Sequence, residues 1–123
     1  MTCRGVLIVE DDVDIRETLE QVLADHDVAA TTAENGAVAL ERLRTADEHP
    51  CLILLDMMMP VMDGREFRTR QQADPALARI PVVVLSAHLT GDRAAAEMHA
   101  DGFLKKPCSL KSLLETIDRY CSH

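Results

Sequence analysis

Aromatic side chains are scarce. The 123 residues contain no tryptophan, one tyrosine (Tyr120) and two phenylalanines (Phe67 and Phe103). Single-strand nucleic-acid binders stack bases on exposed rings, so that kind of platform is excluded. Positive charge is also short: 13 Lys+Arg against 21 Asp+Glu leave a net charge of −8. Such a surface repels phosphate backbones and anionic lipid heads, so no direct nucleic-acid binding is expected. No apolar run approaches the ~18 residues of a membrane span. A strand-like run begins at Val6, leaving no room for a signal peptide. The four cysteines (Cys3, Cys51, Cys108 and Cys121) form no CxxC pair. Their spacing fits a reducing cytoplasm and argues against a zinc site.

What is present is ordinary in bulk and uneven in detail. At 47% hydrophobic and 28% charged, the chain is globular rather than disordered. Its length fits one domain, residues 1–123, at roughly 100–200 residues per domain. Residues 1–34 hold 9 acids against 2 bases, or −7, while residues 35–123 hold 12 against 11, or −1. The acidity is therefore concentrated near the start.

Short apolar runs alternate with amphipathic stretches. Val6–Val9 reads as a buried strand, and Ile15, Leu19, Val22 and Leu23 recur at helical spacing over residues 13–24. Val28–Thr32 is a weaker strand, and Asn35-Gly36 opens a helix carrying Val38, Leu40 and Leu43. Cys51–Leu55 is apolar throughout. Asp63 with Glu66 resembles a capping box for a helix over 63–72. Pro81–Ser86 is a fourth strand, and a short helix capped by Thr90 runs to about His99. Gly102–Lys105 is a fifth strand. Ser109 caps a last helix with Leu110, Leu113, Leu114, Ile117 and Cys121 on one face. Five such βα units predict an α/β fold, a doubly wound sandwich around a parallel sheet.

Ligands of open α/β sheets bind beyond the carboxyl ends of the strands. There the first strand delivers Glu10-Asp11-Asp12, the third Asp56, the fourth Ser86 and the fifth Lys105-Lys106-Pro107. Gathered carboxylates repel one another unless a cation or proton relieves them. Mg²⁺ takes one or two carboxylates, keeps waters and binds a phosphate. A lysine charge and a serine hydroxyl suit a phosphoryl oxygen beside it. The pattern predicts Mg²⁺-assisted phosphoryl transfer with Asp56 as nucleophile.

The whole chain resembles a receiver domain of the response regulators of two-component signalling. The match is carried by Ile8-Val-Glu-Asp-Asp12, Leu54-Leu-Asp-Met-Met-Met-Pro-Val-Met-Asp-Gly64, Ser86-Ala87 and Lys106-Pro107, in order and at family spacing. The resemblance implies a flavodoxin-like (βα)5 fold with strand order 2-1-3-4-5. It implies Asp56 as phosphoacceptor, Asp11 as direct Mg²⁺ ligand, Glu10 as the neighbouring acid acting through a metal-bound water, and Met58 lending its backbone carbonyl. Ser86 would hydrogen-bond a phosphoryl oxygen and Lys106 would pair with the phosphate, its bond to Pro107 being cis. Phe103 would be the aromatic switch, turning inward as Ser86 moves. The implied phosphodonor is a histidine kinase or a phosphotransfer protein. The implied readout, roughly Thr90–Asp118, is the face of the fourth helix, fifth strand and fifth helix, controlling an effector protein. No output domain is expected within residues 1–123, unless the chain is cut from a hybrid kinase or a longer regulator.

Several nearby residues read as structural. Asp12 and Asp14 suit a helix N-terminus, and Lys105 a solvated position. Met57, Met58, Met59 and Met62 read as packing, because Mg²⁺ prefers oxygen. Cys108 reads as a small apolar filler, and His88 is placed at the pocket rim. An aspartyl-phosphate phosphatase of the haloacid-dehalogenase type is the competing class. Such enzymes carry an acid/base Asp two residues after the nucleophile, where this chain has Met58. A flavin binder would need a phosphate-cradling loop where residues 10–14 are acidic.

Overall fold

Val6–Val9 is apolar at four successive positions, so both faces of that strand need cover. The computed structural model describes residues 5–57, 59, 61–87, 91–106 and 108–121 and supplies that cover. In chain order the elements are β1 (Val6–Val9), α1 (Val13–Asp25), β2 (Ala30–Ala33), α2 (Gly36–Thr45) and β3 (Leu52–Asp56). They continue as α3 (Gly64–Ala73), β4 (Val82–Ser86), α4 (Gly91–Glu97), β5 (Gly102–Lys105) and α5 (Leu110–Cys121). All strand pairs are parallel, in the order β2-β1-β3-β4-β5. This is the expected doubly wound (βα)5 sandwich.

Alternation along each strand splits the core in two. Leu7, Val9, Ile53, Leu55 and Val84 face Leu40 of α2, Phe67 of α3 and Met98. Val6, Ile8, Leu54 and Leu85 face Leu23 of α1 with Leu113 and Ile117 of α5. β3 and β4 are buried at every position, as inner strands of such a sheet must be.

Polar side chains cap the helices. The Asp12 carboxylate accepts from the amides of Asp14 and Ile15, at 2.9 and 3.2 Å. Asn35, Asp63 and Ser109 accept likewise from Val38, Glu66 and Ser112. Each such cap is worth about 1 kcal/mol. β2 starts at Ala30 rather than Val28 for a local reason. The Val28 amide closes the end of α1 on the Leu23 carbonyl at 2.8 Å, with Asp27 at φ 62°.

α3 carries a buried polar chain. Arg68 Nε donates to the Met98 carbonyl at 3.1 Å, and its other nitrogens reach the His99 carbonyl and Gln71 Oε1 at 2.6 and 2.8 Å. Gln71 passes the chain on to the Leu77 and Ile80 carbonyls. A cation thus meets the negative end of α4, and α4 stops at Glu97 rather than near His99. Leu110, expected on the buried face of α5, is the first residue of that helix and is 45% exposed.

Candidate functional site

At the carboxyl end of the sheet the ladders deliver polar groups side by side. The Glu10 amide extends the β1–β2 ladder to the Ala33 carbonyl, and the Lys106 amide extends β4–β5 to the Ser86 carbonyl at 2.9 Å. Asp56 closes β3 and Ser86 closes β4. Glu10, Asp56 and Ser86 are only 1%, 6% and 3% exposed. Burial at these values means water does not screen the charges.

Lys106 ties the group together. Its Nζ donates to Glu10 Oε1 at 2.6 Å and to Asp56 Oδ1 at 3.2 Å. Asp11, exposed beside them, completes a set: carboxylate oxygens of Glu10, Asp11 and Asp56 lie within 4.8 Å of one another. Burial pushes the Glu10 carboxyl up from 4.5 to about 8, helped by the neighbouring Asp56 carboxylate. The Lys106 contact pulls the other way without prevailing. Burial would lower the Lys106 ammonium, but its bond to Glu10 and the Asp56 and Glu10 charges outweigh burial and raise it.

Glu10 Oε2 is buried and, among the described residues, has no hydrogen-bond partner. A buried acceptor left unsatisfied costs roughly 1–3 kcal/mol, and an oxygen-preferring cation would satisfy it. The donor set, three carboxylates and no sulfur or imidazole, fits Mg²⁺.

Gly64 sets how closely α3 approaches. A Cβ there would lie 2.9 Å from the Asp56 carbonyl and 3.1 Å from Met57 Cα. The Gly64 amide instead donates to the Met57 carbonyl at 3.1 Å, seating the helix on the end of β3.

The remaining expected residues fall as follows. Phe103 lies on β5 opposite Val84, partly buried against the α4 side of the core. Met57, Met59 and Met62 are buried in that same core. Lys105 is exposed. Met58, His88 and Pro107, and with them the carbonyl ligand, the rim histidine and the cis bond, lie outside the described residues. Sequence reasoning missed a cleft of about 540 Å³ between α1 and the end of β5, lined by Ile15, Leu19, Leu85, Cys108 and Lys106. The signal was available in an apolar residue that helical spacing assigned to the core: Ile15 is 37% exposed.

The fold and this cluster define a receiver of the two-component type. The chain belongs to the response regulator receiver domain family, whose model matches residues 6–118. Members of that family are signalling switches rather than metabolic enzymes. The chain is 37% identical over 124 residues to the DNA-binding transcriptional regulator NtrC of Escherichia coli K12, covering 98% of this chain and 25% of that protein. It therefore spans about a quarter of that relative's length. Among solved structures it resembles the signal receiver domain of a histidine kinase from Syntrophus aciditrophicus. That match has a TM-score of 0.86 and 31% identity over 96% of this chain and 89% of that one. It also resembles the receiver domain of the sensor histidine kinase PA1611 from Pseudomonas aeruginosa PAO1. Here the TM-score is 0.83 and the identity 25%, over 97% of this chain and 98% of that one. The PA1611 domain was solved with a magnesium ion coordinated in its active-site cleft.

Proposed function

We propose that this protein is a phosphoacceptor switch that takes a phosphoryl group onto Asp56 from the phosphohistidine of a histidine kinase or phosphotransfer protein. The observation that carries the reading is the buried Asp56 carboxylate held by Lys106 beside Glu10 and Asp11. An Asp56 oxygen attacks phosphorus, the phosphorus–nitrogen bond breaks, and the donor imidazole, already protonated at its other ring nitrogen, leaves with the electron pair as a neutral ring. Lys106 holds the phosphoryl group by charge, and the Ser86 hydroxyl donates to one of its oxygens. Glu10, Asp11, Asp56 and the Met58 carbonyl would hold Mg²⁺. The ion supplies positive charge against the phosphoryl oxygens when bound. The magnesium in the PA1611 receiver supports that assignment.

Phosphorylation adds charge at the ends of β3 and β4. The switch then draws Ser86 toward the phosphate and Phe103 inward, changing the α4-β5-α5 face read by an effector protein. The setting is cytoplasmic; no helix among the described residues is long and apolar enough to cross a membrane. DNA binding is not carried over from NtrC, because the alignment covers a quarter of that protein and the net charge here is −8. Residues 1–123 act as one receiver domain, on its own or within a hybrid kinase or longer regulator. Met58, where a phosphatase would carry its acid/base Asp, favours a lasting phosphoprotein over a turnover enzyme.

Acetyl phosphate with Mg²⁺ should add one phosphoryl group per chain in intact-mass measurement, and Asp56→Asn should add none. Stoichiometric labelling of Asp56→Asn would overturn the assignment.

A further inference from the structure

The opposite end of the sheet holds a feature that phosphoryl chemistry does not use. Cys51 precedes β3 and Cys121 ends α5. The structure joins them as a disulfide, with Cα atoms 5.3 Å apart across 70 residues of sequence. That separation lies in the range native disulfides adopt. Cys121 is buried with Ile117 and Leu52, whereas Cys51 is partly exposed. The Cys51 sulfur lies 3.1 Å from the Gly5 carbonyl oxygen, so a free thiol there also has an acceptor. The Cys51 side of the pair therefore keeps a hydrogen-bond partner when the sulfur–sulfur bond is broken.

We propose that Cys51 and Cys121 form a reversible redox clasp that fixes or releases the last turns of α5. Its reversibility rests on the cytoplasmic placement above, where disulfides are transient or redox-sensing. Reduction by a glutathione-class thiol begins at Cys51. An external thiolate attacks the Cys51 sulfur, the sulfur–sulfur bond breaks, and Cys121 leaves as a thiolate and takes a proton. A second external thiolate attacks the glutathione sulfur of the mixed disulfide and frees Cys51, which is protonated and donates to Gly5. The chain gains two hydrogens and the two thiols become one disulfide. Oxidation runs the same steps backward with oxidised glutathione as acceptor.

The clasp acts on one element selectively. Without it, the end of α5 is held by the packing of Ile117 and by the Tyr120 hydroxyl donating to the Asp101 carbonyl at 2.9 Å. β3 keeps both neighbours, β1 and β4, in either state. Reduction should therefore loosen α5 and leave the sheet unchanged.

The test uses the full chain carrying Cys3→Ser and Cys108→Ser, equilibrated in reduced and oxidised glutathione mixtures, then alkylated and weighed intact. The expected result is interconversion between a dithiol that takes up two alkyl groups and a disulfide that takes up none, set by the glutathione ratio. Amide exchange over Thr116–Cys121 should be roughly tenfold faster in the dithiol form, with β1 and β3 unchanged. Three results would overturn the proposal: no disulfide in oxidised glutathione alone, a disulfide that persists in excess reduced glutathione, or equal exchange of α5 in both forms. Acetyl phosphate labelling of the same samples is read separately. Failure there would strike the phosphoacceptor reading and leave the clasp standing.

Discussion

β3 carries an acid at one end and follows a cysteine at the other, and the two ends of the sheet are built on opposite terms. At the carboxyl end, Glu10, Asp11 and Asp56 crowd around one lysine, and a buried Glu10 oxygen has no partner among the described residues. At the amino end, the Cys51 amide donates to the Gly5 carbonyl, Cys51 is bonded to Cys121, and the Val6 amide donates to the Ala29 carbonyl. One end is left electrostatically incomplete, and the other is closed. An unsatisfied cluster costs stability and can be tolerated where the rest of the fold supplies it. Reactivity and rigidity are thus separated by the length of a five-residue strand.

Cutting the closed end should have the largest effect. In the chain-entropy view, a cross-link closing a loop of about 70 residues stabilises by about 4 kcal/mol. Cys51→Ala should lower the midpoint of denaturant unfolding by that order relative to the oxidised protein. Labelling of Asp56 by acetyl phosphate should persist, because Cys51 and Asp56 lie at opposite ends of β3. Lost labelling in a folded Cys51→Ala protein would show that the two ends are coupled, and the contrast drawn above would fail.

The open end should respond to pH and to Mg²⁺. The groups facing Glu10 are Asp11, Asp56 and Lys106, with the Arg16 guanidinium on its backbone carbonyl. Its carboxyl is raised from 4.5 to about 8 in the folded state, chiefly by burial. The folded state therefore binds the proton more tightly than the unfolded one. By linkage the metal-free protein loses stability as pH rises from 4.5 through about 8. The loss is on the order of a few kcal/mol. Glu10→Gln should flatten that slope in thermal melts at several pH values; an unchanged slope would place the strain on another group. Mg²⁺ should raise the melting temperature of the wild type, by about 2.7 kcal/mol of stability at a hundredfold excess over its dissociation constant. Glu10→Gln should weaken that response.

The same contrast separates what is legible in the sequence from what is not. The reactive end was legible because a parallel sheet presents the residues after each strand together. Glu10, Asp11, Asp56, Ser86 and Lys106 each follow or end an apolar run, and the structure gathers them. The closed end was not legible, since nothing in the spacing of Cys51 and Cys121 pairs residues 70 positions apart. Arg68 was equally silent. It sits mid-helix in a polar stretch, and its carbonyl partners lie 30 and 31 residues away. Helical periodicity marked Ile15 and Leu110 as core because it reports a face, not whether another element covers it. Gly64 was visible as part of a motif, yet its reason, the 2.9 Å approach to the Asp56 carbonyl, is a tertiary fact.

The smallest effect belongs to the loop between β3 and α3, where the incomplete end also carries backbone strain. Val61 has φ 68° and is 82% exposed, so its side chain gains little from burial in that conformation. A β-branched residue there costs roughly 1–2 kcal/mol. The next residue shows why the chain turns this way. Met62 is buried in the core, and its carbonyl accepts from the Gly36 amide at 3.2 Å. A Cβ on Gly36 would lie 2.9 Å from Met62 Cγ. The reversed dihedral at Val61 delivers Met62 onto α2, and Met62 holds it there. Asparagine tolerates this conformation and adds less unfolded-state entropy than glycine. Val61→Asn should stabilise the protein by about 1 kcal/mol, or roughly 4 °C in melting temperature. Phosphoryl labelling at Asp56 should proceed as before. A stabilised Val61→Asn protein that labels more slowly would show that the strain belongs to the reactive end's function. A destabilised one would show that the valine side chain itself stabilises the reversed turn.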